Sequence, residues 1–254
     1  MRLRNSLELI FYKAYADLRA EAARSYLGLL WWIIEPILYL GAFYVLFVLV
    51  LQRSDTNFVP NFLCGAVVWK WFDSGLKGGN HAISAHLGLL QQVYVPKFIF
   101  PIIAVLGSAA RFIPVFIIFT FFLLIYGIPP QTSWLAAPLL IFIQLYLVTV
   151  LAMLLGAITP FLPDLRVAVD NGMMLLFFIS GVFFNIKEVH EPAKSYLLLN
   201  PMACLIDEYR NVMILGVWPS MPRIAIILAF SSMVGALALF LLKRMDRRYG
   251  KRGF

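Results

Sequence analysis

Ser25-Tyr26-Leu27-Gly28-Leu29-Leu30-Trp31-Trp32-Ile33-Ile34-Glu35-Pro36-Ile37-Leu38 is the place where a charged, amphipathic beginning turns into sequence apolar enough for a bilayer. Arg24 stands just before it, and two tryptophans sit at the boundary. Both residue types carry an apolar body and a polar tip and anchor at membrane interfaces. Glu35 falls inside the apolar run, where a carboxylate is costly and marks a functional or pairing position. The rest of the chain has to be consistent with entry into a bilayer here.

Composition agrees. Of 254 residues, 62% are hydrophobic and 13% charged, with 22 phenylalanines, against roughly 45–50% apolar and about 25% charged in soluble domains. Long apolar runs exclude the two-residue alternation of a barrel, so the expected class is an all-α integral membrane protein. The net charge of +8 comes from basic residues gathered at the termini, which membrane topology explains without nucleic acid. Glu8, Asp17 and Glu21 interrupt the region where a signal peptide would need a continuous apolar core. Cys64 and Cys204 show no metal-like spacing; they are read as small apolar residues rather than as a disulfide.

Residues 3–22 place Leu3, Leu7, Ile10, Phe11, Ala14 and Leu18 at helical spacing, which predicts an amphipathic helix lying in the membrane interface. Spans are predicted at 27–51, 58–76, 98–126, 134–161, 167–186 and 221–242, each near the roughly 20 residues a bilayer requires. In the second, Lys70 and Asp73 are three apart and would partly neutralise each other. Gly78-Gly79-Asn80 is expected to break that helix, with His81 to Gln92 forming a short separate one. Residues 187–220 are too polar to span and too apolar for a solvated loop, so short interfacial or re-entrant helices are expected there. The whole is one domain: helix 1–25, a six-span region 26–242 and a basic tail 243–254. Basic residues at both ends put both termini in the cytoplasm, which six spans satisfy. The links at 78–97 and 160–166 then face inward.

Catalytic chemistry finds no constellation. His81 and His86 are five apart and His190 is distant, so no ligand set forms; Ser180 lacks a neighbouring base. No Gly-x4-Gly-Lys-Ser/Thr loop occurs, so an ATP-driven process would need a separate polypeptide to hydrolyse the nucleotide. The segment His81 to Leu90 is either a docking knob for a cytoplasmic partner or an interfacial connector. Trp31, Trp32, Tyr39, Phe43, Tyr44 and Phe47 on the first span, and Phe177, Phe178, Phe183 and Phe184 on the fifth, either stack on sugars or pack against lipid and core. For Arg111, pairing with Glu35 or Asp73 ranks ahead of contact with an anionic substrate.

In their order, these features resemble the permease subunit of ATP-binding-cassette exporters of cell-surface polysaccharide, the O-antigen and capsule class. The resemblance rests on Arg24-Ser25-Tyr26-Leu27-Gly28-Leu29-Leu30-Trp31-Trp32-Ile33-Ile34-Glu35-Pro36, on Leu89-Leu90-Gln91-Gln92-Val93-Tyr94-Val95-Pro96-Lys97 with Pro101, on Pro163-Asp164-Leu165-Arg166, and on Asn200-Pro201 through Tyr209-Arg210. Two departures stand out: Pro163-Asp164-Leu165 where the family often has Arg-Asp-Leu, and Ser180-Gly181-Val182 where it often has Ser-Pro-Ile. The resemblance implies a homodimer in the plasma (inner) membrane, bound to two copies of an ATPase subunit that carries the ATP and magnesium; this chain itself would hold no cofactor. It implies coupling through His81, Ile83, His86, Leu87, Leu89, Asp164 and Arg166. It further implies a path for a lipid-linked glycan along the first and fifth spans, past Trp31, Tyr39, Phe43, Phe47, Phe177, Phe178 and Phe184, with segment 187–220 at the exit. Relatives carrying teichoic acid or small amphiphiles keep a second substrate class open; from a different class, a passive channel or a membrane enzyme for lipid-linked sugars are the alternatives.

Overall fold

The structure, a computed structural model, describes residues 3–23, 30, 34, 37, 38, 41, 42, 44–50, 57–93 and 95–249. Trp31, Glu35, Pro36, Tyr39 and Phe43, other parts of the first expected span and the side chain of Phe47 lie outside the described residues. The regular elements are all helices, with no strand among the described residues. Helix α1 covers Leu3–Ala23, α2 Phe58–Ala85, α3 Leu87–Gln92, α4 Ile99–Ile125, α5 Ala137–Ile158, α6 Asp164–Ile179, α7 Ala193–Leu197, α8 Pro201–Arg210 and α9 Met221–Tyr249. Among the described residues, three stretches are long and apolar enough to cross a membrane: Ile99–Ile125, Thr132–Ile158 and Met221–Asp246.

Helix α2 is the hub, packed along α4 and α5, while α9 lies against α5. Its far end corrects the expectation of a break at Gly78-Gly79-Asn80, because the helix continues to Ala85. The glycines serve close packing. A Cβ on Gly79 would sit 2.3 Å from that of Ala152, and one on Gly75 would sit 2.7 Å from the Val148 Cγ1. Gly156 on α5 returns the fit, since its Cβ would lie 2.8 Å from the Gly79 carbonyl oxygen. Small residues four apart on facing helices let backbones meet, as in membrane helix pairs generally. Asn80, fully buried, accepts the Thr159 hydroxyl across the same seam. The expected single helix from His81 to Gln92 is therefore two pieces, divided at His86, whose backbone N–H bonds to Ile83.

A further expectation is revised. Helix α6 stops at Ile179 after 16 residues, about 24 Å at 1.5 Å per residue, so the expected span 167–186 is helical only as far as Ile179. The chain turns back at Gly181, φ +73°, a conformation that favours glycine. Phe183 and Phe184 consequently lie in the return rather than on the helix; Phe183 folds back on Phe177 at 4.9 Å and Phe178 at 5.4 Å. In α2, the Asp73 carboxylate pairs with Lys77 at 2.7 Å, a partner one full helical turn away.

Helix α1 buries Ile10 and Ala14 against Ile99 and Ile103 of α4 and leaves the Lys13–Asp17 pair partly exposed. Segment 187–220 takes the short-helix form expected. A 3-10 turn at Ile186–Glu188 precedes α7 and α8, and α8 runs into a π turn at Asn211–Leu215. Nearly all of 202–214 is buried against α2 and α5.

Candidate functional site

The two ends of α2 carry different chemistry. At the Asn61 end, α8 begins with a cap the sequence dictates. The Asn200 side chain accepts from the N–H groups of Met202 and Ala203, with Pro201 at the first helical position, where a missing N–H costs nothing. The Asn200 amide nitrogen then donates to the Ser180 hydroxyl at 2.9 Å, tying α8 to the end of α6. About two turns further on, Asp207-Glu208-Tyr209-Arg210 is wholly buried.

Arg210 spends its guanidinium on backbone. Nε donates to the Asn61 carbonyl at 3.0 Å, Nη1 to Phe184 at 2.9 Å and Nη2 to Val182 at 2.9 Å. It joins the start of α2, the return after α6 and α8 itself. Asp207 and Glu208 face Arg223, whose Nη1 lies 2.7 Å from Asp207 Oδ2 and 3.2 Å from Glu208 Oε1. Glu208 also accepts from Asn211 Nδ2 and the Ser220 N–H, and Lys187 donates to Asn211 Oδ1 at 2.6 Å. Buried carboxylates persist only when paired and hydrogen-bonded in this way. The 132–136 turn closes the cluster: Ser133 donates to the Val212 carbonyl and the Trp134 indole to that of Met213. Those acceptors belong to the π turn, where the regular helical pattern is lost.

The His81 end is looser and more exposed. Arg166 Nε donates to His81 Nε2 at 2.9 Å, and Asp170 Oδ2 stands 3.6 Å from the same nitrogen. Lys97, itself buried, pairs with Asp246 of α9 at 2.6 Å, fastening the turn before α4 to the tail helix. A cleft of about 210 Å³ between α1, α2 and α4 is lined by Lys13, Asp17, His81, His86, Phe100 and Ile103, among others. His86 is turned inward, its Nδ1 2.8 Å from the Ala82 carbonyl and its ring stacked on Phe100 at 4.7 Å.

The residues named from the sequence separate accordingly. Ile83 is fully buried and seats the helix end, whereas Leu89 and Asp164 are exposed. Arg166 and His81 meet each other, although 85 residues apart. Phe178 is exposed, while Phe177 and Phe184 are half-buried, and the Phe177 ring packs 5.9 Å from Trp69. Arg111 is half-buried on α4, one turn beyond Gly107. Cys64 and Cys204 are free and buried. The Asp207–Glu208–Arg223 cluster and the Arg210 clamp escaped the sequence reading. A signal was present, because Arg223 stands just inside an apolar span, the same anomaly that singled out Arg111.

Comparison with known proteins points one way. The O-antigen export system permease protein RfbA of Myxococcus xanthus is 30% identical over 198 residues, covering 77% of this chain and 76% of that protein. Two proteins of the same description from Klebsiella pneumoniae are 24% and 25% identical over 201 and 202 residues, each covering 79% of this chain and 78% of the relative. The ABC-2 type transporter family profile matches residues 14–214, from within α1 to the π turn after α8. The chain belongs to the ABC-2 type transporter family, as a transmembrane permease subunit of a type-2 ABC exporter.

Proposed function

We propose that this chain is the membrane subunit of an ATP-driven exporter of lipid-linked polysaccharide of the O-antigen or capsule type. The observation that carries the reading is the shared family together with relatives described as O-antigen export permeases, each matched over more than three quarters of its length. Two copies of the chain form the channel in the inner membrane, each with six spans and both termini in the cytoplasm. Two ATPase subunits, holding the ATP and magnesium, engage the His81 end; α1 lies in the cytoplasmic interface and passes their motion to α4. Support for the dimer comes from α6, where Met174, Leu175 and Phe178 are 66%, 70% and 51% exposed on a single chain. Such an apolar face fits a second copy or lipid. The aromatic side chains Tyr39, Phe43, Phe177 and Phe178 grip the glycan through many weak stacking contacts, which permits stepwise sliding.

Deleting the chain in its host, followed by fractionation of lipid-linked glycan, tests the function. Glycan accumulating inside the cell and disappearing from the surface is expected, with rescue by the wild-type chain but not by one carrying Tyr39→Ala and Phe43→Ala together. Undiminished surface glycan after deletion would reject the reading.

A further inference from the structure

His81 is placed between two opposite charges of α6, one helical turn apart, and both address one nitrogen. Arg166 Nε donates to His81 Nε2 at 2.9 Å, while Asp170 Oδ2 waits 3.6 Å from that atom. The other oxygen of Asp170, Oδ1, is buried with no hydrogen-bond partner among the described residues. The remaining neighbours are already committed. From α1, Lys13 and Asp17 line the same cleft and pair with each other at 2.5 Å. On α2, Lys77 pairs with Asp73, and His86 is bonded to Ala82. The α4 side chains lining the cleft, Phe100, Ile103 and Ala104, carry no charge.

We propose that His81, Arg166 and Asp170 form a proton-sensitive latch that determines whether the 160–166 turn and the start of α6 move with the end of α2. The proposal rests on the reading that this end receives the stroke of the ATPase. As a neutral imidazole, His81 keeps its proton on Nδ1 and accepts from Arg166 through the Nε2 lone pair, so the latch is closed. A proton taken from water places N–H on Nε2, which converts the acceptor to a donor. The Arg166 N–H is then repelled into solvent, and Asp170 Oδ2 receives the new donor. His81, Arg166 and Asp170 act as positioning residues and touch no substrate. Burial first, then the Arg166 charge, holds His81 below its ordinary value of 6.5, with Asp170 pulling the other way. The latch is therefore closed at neutral pH and opens as pH falls below 6.5 toward the lowered value.

Nitrogen-15 histidine spectroscopy of the full chain in nanodiscs, titrated with acid, reads this directly. The resonance abolished by His81→Gln belongs to His81. It should show the neutral form protonated on Nδ1, with a midpoint that moves up in Arg166→Ala and down in Asp170→Asn. A midpoint unmoved by both variants, or a neutral form protonated on Nε2, would overturn the latch. In the complex with its ATPase subunit, the ratio of ATPase rate at pH 5.5 to that at pH 7.5 should be lower in the wild type than in His81→Gln, whose amide oxygen accepts from Arg166 but cannot titrate; equal ratios would also overturn it. An ATPase whose rate never responds to this chain at any pH rejects the proposed function instead, and the spectroscopic shifts decide the latch independently of that outcome.

Discussion

The two ends of α2 are held by opposite designs. At the Asn61 end Asp207, Glu208 and Arg210 are buried, and the charges are knitted into one network of fixed partners. Arg210 serves three carbonyls from two other parts of the chain, and Arg223 serves two carboxylates. At the His81 end His81 and Asp170 are half-exposed and Arg166 is exposed, and one atom, His81 Nε2, has two competing partners. Over-determined contacts make a structural unit that moves as a whole if it moves at all. Singly held, exchangeable contacts make a joint. A transporter needs both: a frame around the path and a place where motion enters.

That contrast can be broken at its strongest point first. Arg210→Ala leaves the carbonyls of Asn61, Val182 and Phe184 without their donor in the interior, at about 1–3 kcal/mol for each group. The expected result is a loss of about 3–5 kcal/mol, read as a large fall in thermal midpoint in detergent or in folded yield. Arg210→Lys should recover little, since one ammonium cannot span three acceptors in a fixed fork.

The seam between the two ends offers a sharper pair of adjacent sites. Gly79→Ala would force a Cβ to 2.3 Å from that of Ala152 and cost about 1–3 kcal/mol by overpacking. At Gly78 the nearest atom, Ala104 Cβ, is 3.7 Å away, so Gly78→Ala should be neutral or stabilising by up to about 1 kcal/mol through helix propensity. Equal effects at the two positions would remove the packing argument.

Smaller effects belong to the His81 end. Lys97→Ala removes the tie to Asp246 and should cost about 1 kcal/mol in thermal stability; the tail of α9 should then exchange amide hydrogen faster. For His81, the lowered folded value means that the unfolded chain binds more protons in the interval between the two values. Stability from this group is thus full above 6.5 and declines as pH falls through the folded value. His81→Gln should make the thermal midpoint less dependent on pH between neutral and mildly acidic conditions.

Much of this architecture was legible in the residues. The apolar runs located α4 and α5 to within a few positions and the start of α9 as well, because burying a helix's backbone in lipid demands long uninterrupted apolar sequence; α9 continues past the apolar run to Tyr249. Asn200-Pro201 carries the capping chemistry that starts α8, although the sequence reading used it only as a landmark of the family. Gly78-Gly79-Asn80 misled, since glycine breaks an isolated helix yet is the residue that lets two packed helices touch; only the facing Ala152 and Gly156 distinguish the cases. The end of α6 was invisible for a related reason. Phe183 and Phe184 extend the apolar run past Gly181, and hydropathy cannot register a turn whose aromatic residues pack back on the helix they leave. The meeting of His81 with Arg166 depends on tertiary contact across 85 residues, which periodicity does not encode.

The central claim is that motion enters at the His81 end while the Arg210 unit holds together. Hydrogen exchange measured on the chain in complex with its ATPase subunit, with and without a non-hydrolysable ATP analogue, tests it most directly. Nucleotide-dependent changes are predicted in 81–93 and 160–170, with 201–214 slow to exchange in both states. Rapid or nucleotide-dependent exchange in 201–214, alongside unchanged exchange in 81–93 and 160–170, would contradict the account.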